Sequence, residues 1–271
     1  MKRVSLRIRR EVATPGLVSS DTHIHSFAYS GHGDATADER MLTLAGEGIE
    51  LPIATEHNQH TSYEEDAKRM KVRDIFTPVL GNEVTTTKGH FNAFPIRPGS
   101  KVPDAREEDW PRLMESIRSA GAKVIILNHP CDLHSNFRPF DEKNFNRVTG
   151  ENKRGFEFSF DAMEVINSGA LRTDYMENYR CWFAVLNYGY RVAGVSGSDC
   201  HDVTWRIVGQ GRTYIVCDDK DPGKVDVDAA CRSFLSARVL ASMGLLVDMK
   251  VNGSFGVGDL VNGSGDRLDV A

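Results

Sequence analysis

Short apolar runs recur along the chain, and most of them break off into a polar cluster. The strand-like runs are Leu17–His25, Leu51–Glu56, Thr77–Glu83, Phe91–Ile96, Lys123–Asn128, Ala162–Asn167, Arg191–Ser196 and Thr213–Cys217. Between them lie helical patterns over Thr36–Glu47, Tyr63–Val72, Glu107–Ala120, Thr173–Asn187 and Val227–Ala237. Glu107–Ala120 carries Trp110, Leu113, Met114 and Ile117 at helical spacing, with Gly121 as a stop. Strands alternating with helices predict βα units, a mainly parallel sheet and, over this many repeats, a barrel, open or closed. The polar, strand-poor stretch from Phe137 to Phe160 reads as a long loop or small insertion near the site. The expected organisation is an N-terminal edge strand or extension over 1–16, one α/β domain over 17–245, and the start of a further, truncated C-terminal region over 246–271.

Composition narrows the class. The chain has 271 residues, 40% hydrophobic and 26% charged, and a net charge of −5. That length suits one α/β unit with a full core. The acidic balance argues against nonspecific nucleic-acid binding, which needs a basic face. The basic start, Met1–Arg10, alternates charge with Val4, Leu6 and Ile8 and lacks the apolar run of a signal peptide. No stretch has the length of a membrane span. These features lead to the expectation of a cytoplasmic chain with no membrane partner; its oligomeric state is open. The five cysteines, Cys131, Cys181, Cys200, Cys217 and Cys231, are odd in number and widely spaced, which reads as reduced thiols. Cys200 stands apart because its neighbours are chemical.

The chemistry gathers at the ends of the runs. The first ends in Asp21, His23 and His25, and the second in Glu56-His57-Asn58. Others end in Glu83, Asn128-His129-Pro130, Asn167 and Asp199-Cys200-His201-Asp202. In parallel α/β folds, active sites form at the C-terminal strand ends. In a His-x-His pair both imidazoles lie on one strand face, where they can share one ion. Asp21, on the same face, can hold a ligand's second ring nitrogen. Asp199 and His201 repeat the geometry, and Glu83 can bridge two ions through its two oxygens. Imidazoles and carboxylates without thiolates suit Zn, Mn or Fe acting as a Lewis acid. His60 and His134 read as structural or pocket-lining, and Glu164 and Asn167 as supporting groups.

In this order, Asp-x-His-x-His-Ser, Thr55-Glu56-His57-Asn58, Gly81-Asn82-Glu83, His90, Asn128-His129-Pro130 and Gly197-Ser198-Asp199-Cys200-His201 resemble the polymerase and histidinol phosphatase (PHP) superfamily over nearly all of residues 17–217. Gly33-Asp34-Ala35-Thr36, Gly81–Thr86 and Gly89-His90-Phe91-Asn92-Ala93 are similar to a branch with carbaryl-type hydrolases. The resemblance implies a distorted (β/α)7 barrel with two to three divalent ions. His23, His25, Glu83 and Asp199 would hold one. Glu83 would bridge to a second, completed by His90 and His129. A third would sit on His57, His201 and a loop residue, His32 or Asp34; Ser30-Gly31-His32 resembles the Ser-x-His form of some relatives and favours His32.

The mechanism implied is hydrolysis by a hydroxide bridging two ions, with Glu83, Asp199 and His201 as catalytic residues. His201 or Asp202 would handle the leaving-group proton. Three ions suit the nonbridging oxygens of a small phosphate ester, and Lys88, Arg172 and Arg206 lie next to motifs where phosphate contacts are needed. The leading expectation is a phosphoesterase acting on a small-molecule ester. The alternatives are a carbamate or aryl-ester hydrolase with the same ions, and a non-catalytic PHP scaffold.

Overall fold

The computed structural model describes residues 14–167, 174, 176–261 and 268–271. The edge strand expected within Met1–Arg10, and Arg172, lie outside them. Among the described residues, eight strands run β1 (Leu17–Ser20), β2 (Asn82–Thr86), β3 (Gly89–Phe94), β4 (Val124–Leu127), β5 (Ala162–Asn167), β6 (Ala193–Gly197), β7 (Arg212–Val216) and β8 (Val239–Ser242). The helices are α1 (Phe27–Ser30), α2 (Ala37–Gly46), α3 (Glu64–Arg69), α4 (Trp110–Ser119), α5 (Met176–Tyr188) and α6 (Val227–Leu235). No described helix is long and apolar enough to cross a membrane.

Local chemistry sets the helix starts. Thr36 forms a capping box at α2: its hydroxyl accepts from Glu39 N–H, and its own N–H donates to the Glu39 carboxylate. Asp109 caps α4 by accepting from Arg112 N–H, and Pro111 occupies the first turn, where no N–H is missed. Trp110, Leu113, Met114 and Ile117 then bury one stripe of α4.

The barrel expectation is corrected. The described strands form two sheets, β2-β3-β4-β5-β6 and β1-β7-β8, not a closed (β/α)7 barrel. Only β4–β5 and β5–β6 pair in parallel; β2–β3, β3–β4 and the whole smaller sheet are antiparallel. The physical causes lie in two places. Residues 82–94 fold back as a tight hairpin with Thr86 opposite Gly89, so no crossover helix fits between β2 and β3. The runs at 51–56 and 77–81 carry Pro52 and Pro78, which lack the N–H that a ladder requires. These runs and their neighbours make isolated bridges: Ile24 to Ala54 and to Cys200, Ile53 to Val79 and His57 to Glu83 in parallel, and Thr61 to Gly81 antiparallel. Those bridges draw the ends of four segments together where the polar clusters lie. The sequence pattern also missed α1 and β8.

β4 shows how the core is laid out. Its four residues are fully buried. Val124 and Ile126 face a cluster with Val18, Leu51 and Ile53, while Ile125 and Leu127 face another with Trp110, Leu113 and Ile117. A strand buried on both faces reads as a continuous apolar run, as this one does. The 137–160 stretch has no regular element, yet Phe140, Phe145 and Phe160 are buried in the second of these clusters.

Candidate metal centre

The turn after β1 is held by groups that do not face the centre. Asp21 is fully buried and accepts from the N–H groups of His23 (3.1 Å), Ser198 (3.0 Å) and Gly209 (2.8 Å). It therefore ties the turn after β1 to the one after β6. The sequence expectation that it holds a ligand's imidazole is therefore corrected. Glu164 on β5 does that instead: its Oε1 lies 2.7 Å from His23 Nδ1, and its Oε2 accepts from His129 N–H at 2.8 Å. Asn167 supports Glu164 through a 2.9 Å bond to Oε2. Arg40 of α2, 1% exposed, donates to the carbonyl oxygens of His25 (2.8 Å), Cys200 (3.2 Å) and Asp202 (3.4 Å), clamping both histidine-bearing turns. Nothing in the sequence pattern marked it, because an arginine among α2's periodic apolar residues reads as solvated.

Around this frame the imidazoles converge on two carboxylates. His23 Nε2 lies 3.3 Å from Glu83 Oε1 and 3.4 Å from Asp199 Oδ1; His25 Nε2 lies 3.4 Å from the same Asp199 oxygen. Glu83 is 1% exposed, and its two oxygens face different rings. Oε1 lies 3.3 Å from His90 Nδ1 and 3.8 Å from His129 Nε2, and Oε2 lies 2.5 Å from His57 Nδ1. His201 Nε2 approaches His57 Nε2 at 3.4 Å. Among the described residues, four groups result whose donor atoms lie within 4.8 Å of one another and could each hold an ion: His23–His25–Asp199, His23–Glu83–His129, His25–His57–His201 and His90–His129–His134. Buried imidazole nitrogens ordinarily find partners. His23 Nε2 and His25 Nε2 are buried with no hydrogen-bond partner, while facing carboxylate oxygens. The donor set fits divalent ions.

The electrostatics agree with that chemistry. Burial pushes the His23 imidazole down, but Asp199, Glu164 and Glu83 outweigh it and hold its pKa well above the ordinary value. His57 and His129 are also raised: burial lowers both, but Glu83 and Asp199 together outweigh it at His57, and Glu83, Glu164 and Asp199 together at His129. Burial would raise Glu83 and Asp199, but the surrounding imidazoles hold both well below the usual carboxylate range. Burial drives His25 well down, His201 to about 4 and His134 to about 3. Two of the predicted ligands also sit on strained backbone: His129 at φ 26° and Asp199 at φ 50°. Left-handed non-glycine residues of this kind cluster at functional sites and cost about 1–3 kcal/mol each.

The structure thus brings together His23, His25, His57, Glu83, His90, His129, Asp199 and His201. His25 joins His57 and His201 in one group, which the implied ligand division did not foresee. His32 is exposed and stacks on His201 (centroids 4.3 Å) and His57 (5.0 Å), outside the four groups but beside one of them. Asp34 Oδ1 instead accepts from Val203 N–H at 2.8 Å. Arg206 reaches the rim, its Nη1 3.8 Å from Asp199 Oδ2. Lys88 pairs with Glu108 and lies over the Phe137 ring. His134, set aside in the sequence reading, belongs to a donor group. All five cysteines are free thiols; Cys200 is fully buried beside Ile24, and burial pushes its thiol up.

Gly197 is where the backbone of β6 passes closest to the centre. A Cβ there would lie 2.6 Å from His23 Cβ and 2.9 Å from Glu164 Oε1. Gly197→Ala must therefore displace the His23 ring from Glu164. The variant is expected to stay folded by circular dichroism and to bind zinc roughly 10- to 100-fold more weakly, the usual cost of losing a ligand's supporting partner. Unchanged zinc affinity would show that the His23–Glu164 contact does not support binding.

No family model and no curated protein matches the chain. Among solved structures, it is similar to a two-domain protein from Bacteroides vulgatus described as containing a predicted PHP-like metal-dependent phosphoesterase. The identity is 15%, the TM-score is 0.57, and the match covers 88% of this chain and 70% of that one. The likeness is one of fold, and it does not single out the carbaryl-hydrolase-like branch.

Proposed function

We propose that this chain is a PHP-type metal-dependent hydrolase, a phosphoesterase acting on small phosphate esters. The observation that carries the reading is the convergence of six imidazole- and carboxylate-bearing segments into overlapping donor groups, with the buried Nε2 atoms of His23, His25 and His134 left unpartnered. In this reading His23, His25, Glu83 and Asp199 hold one divalent ion, and Glu83, His90 and His129 a second. His57, His201 and His32 hold a third. Ions so held lower the pKa of water and polarise the oxygen of the scissile bond. Glu164 fixes the His23 ring and its tautomer, the usual task of a carboxylate behind a ligating imidazole. His201, with its pKa near 4, is neutral at pH 7; it serves as a ligand and not as the leaving-group acid. Arg206, anchored loosely at Asp199 and lying over Trp205, is placed to grip a nonbridging phosphate oxygen.

The test is a panel assay on protein reconstituted with Zn, Mn or Fe. p-Nitrophenyl phosphate is expected to be hydrolysed fastest, and chelation to abolish the activity. Preference for an aryl carbamate or carboxylic ester would replace the phosphoesterase reading with the alternative. A fully loaded protein inert to every ester would leave the scaffold reading. Arg206→Ala is expected to raise KM for the phosphate ester roughly tenfold, the loss of one charge-assisted hydrogen bond, with Arg206→Lys recovering part of it. An unchanged KM would remove Arg206 from the substrate contacts.

A further inference from the structure

We infer that His134 is a direct metal ligand, supplying a third imidazole to the ion assigned above to Glu83, His90 and His129; the inference rests on that assignment. Three observations carry it. First, His134 offers a donor atom within 4.8 Å of those of His90 and His129, and its ring centroid lies 4.4 Å from each of theirs. Second, His134 Nε2 is buried and has no hydrogen-bond partner, although its loop neighbours Leu133, Ser135 and Asn136 are exposed. A rotatable imidazole that merely filled space would turn a nitrogen to solvent. Third, the backbone is built to hold it there. His134 and Phe137 exchange both N–H···O bonds (2.9 and 2.8 Å) across Ser135 and Asn136, which both have positive φ (49° and 62°). That is a two-residue turn of type I′, strained at Ser135. The Phe137 ring is pinned under Lys88 and Arg154, 5.1 and 5.2 Å from its centroid.

With Glu83 Oε1, which faces His90 and His129, the set would be three imidazoles and one carboxylate, to which water could still add as a fifth ligand. Such a set selects a borderline ion such as Zn over Mn, which prefers oxygen donors.

The experiment uses the full chain freed of metal and titrated with Co²⁺, whose visible absorption reports coordination, and with Zn²⁺. The wild type is expected to show a strong four-coordinate cobalt band. His134→Gln should weaken one class of site at least tenfold and lose intensity in that band, while the remaining sites keep wild-type affinity. His134→Cys should restore binding and add a thiolate-to-cobalt charge-transfer band, a signature that only direct ligation produces. Wild-type titrations for both variants, without a charge-transfer band, would overturn the assignment of His134 alone. A wild-type protein that binds neither ion would overturn the metal-centre reading beneath it. A His129→Ala control, which should lose the same class of site, separates these two results.

Discussion

Glu83→Ala is expected to leave a protein with at most one bound ion and activity down by at least roughly 10³-fold, the scale on which a lost electrostatic stabiliser acts in a catalytic site. The reason is position. Glu83 is 1% exposed, and its two oxygens face different rings, with His23, His90 and His129 on Oε1 and His25 and His57 on Oε2. Among the described residues, Asp199 pairs with the imidazoles of His23, His25 and His201, and Glu83 with those of His23, His25, His57, His90 and His129. The same change removes a buried anion that holds protons on His23, His57 and His129, and stripping one partner from a buried charge set costs about 3–5 kcal/mol. A simple loss of fold would therefore mimic the result. Glu83→Gln separates the two effects, since it preserves shape and can still hydrogen-bond to a neutral ring. It is expected to fold, with an unshifted circular dichroism spectrum, yet to carry less metal by elemental analysis. A Glu83→Gln protein with full metal content and full activity would refute the bridging role.

Most of the clustered imidazoles and carboxylates were legible because they follow an apolar run, His90 and His32 being the exceptions, and the period-two geometry of His23 and His25 is local. The architecture was less legible for reasons visible in particular segments. Alternation at Asn82–Thr86 and Gly89–Phe94 is the same whether the strands pair parallel or antiparallel, so the hairpin passed for a βα step. The runs holding Pro52 and Pro78 look like strands in composition and fail as ladders for want of donors. Glu164 is the supporting group the sequence suggested, but Asp21 departs from its expected role, because sequence spacing places it near the imidazoles and cannot show that its oxygens are taken up by three backbone N–H groups. Arg40 and His134 depend on contacts across 160 and 44 residues of chain, to Cys200 and His90. No local pattern encodes those distances.

Metal loading is expected to release protons at pH 7, and the sign follows from the imidazoles. A ligand must be deprotonated to bind an ion. His23, its pKa held well above 6.5 by Asp199, Glu164 and Glu83 against burial, is protonated in the metal-free protein at neutral pH and must give up that proton. His57 and His129, also raised, contribute according to how far each is charged. His25, His201 and His134 are lowered and already neutral, and Glu83 and Asp199 are already ionised; none of these adds a proton. Calorimetric zinc titrations in buffers of different ionisation enthalpy should then report at least about one proton released per first ion, with affinity falling roughly tenfold for each pH unit below 7 per proton released. The same linkage gives the metal-free fold a characteristic pH response. The raised His23 contributes stability that is fully present below pH 6.5 and is lost as pH rises through its folded pKa. Glu83 and Asp199 contribute stability present above their unfolded values near 4, lost as pH falls through their depressed ones. Glu164→Gln removes one of the charges that raise His23, so it should reduce the proton release while leaving the ligand set intact. Zinc binding with no proton release in the wild type would mean that His23 is neutral before the ion arrives, and the carboxylates would not be acting on it as the distances imply.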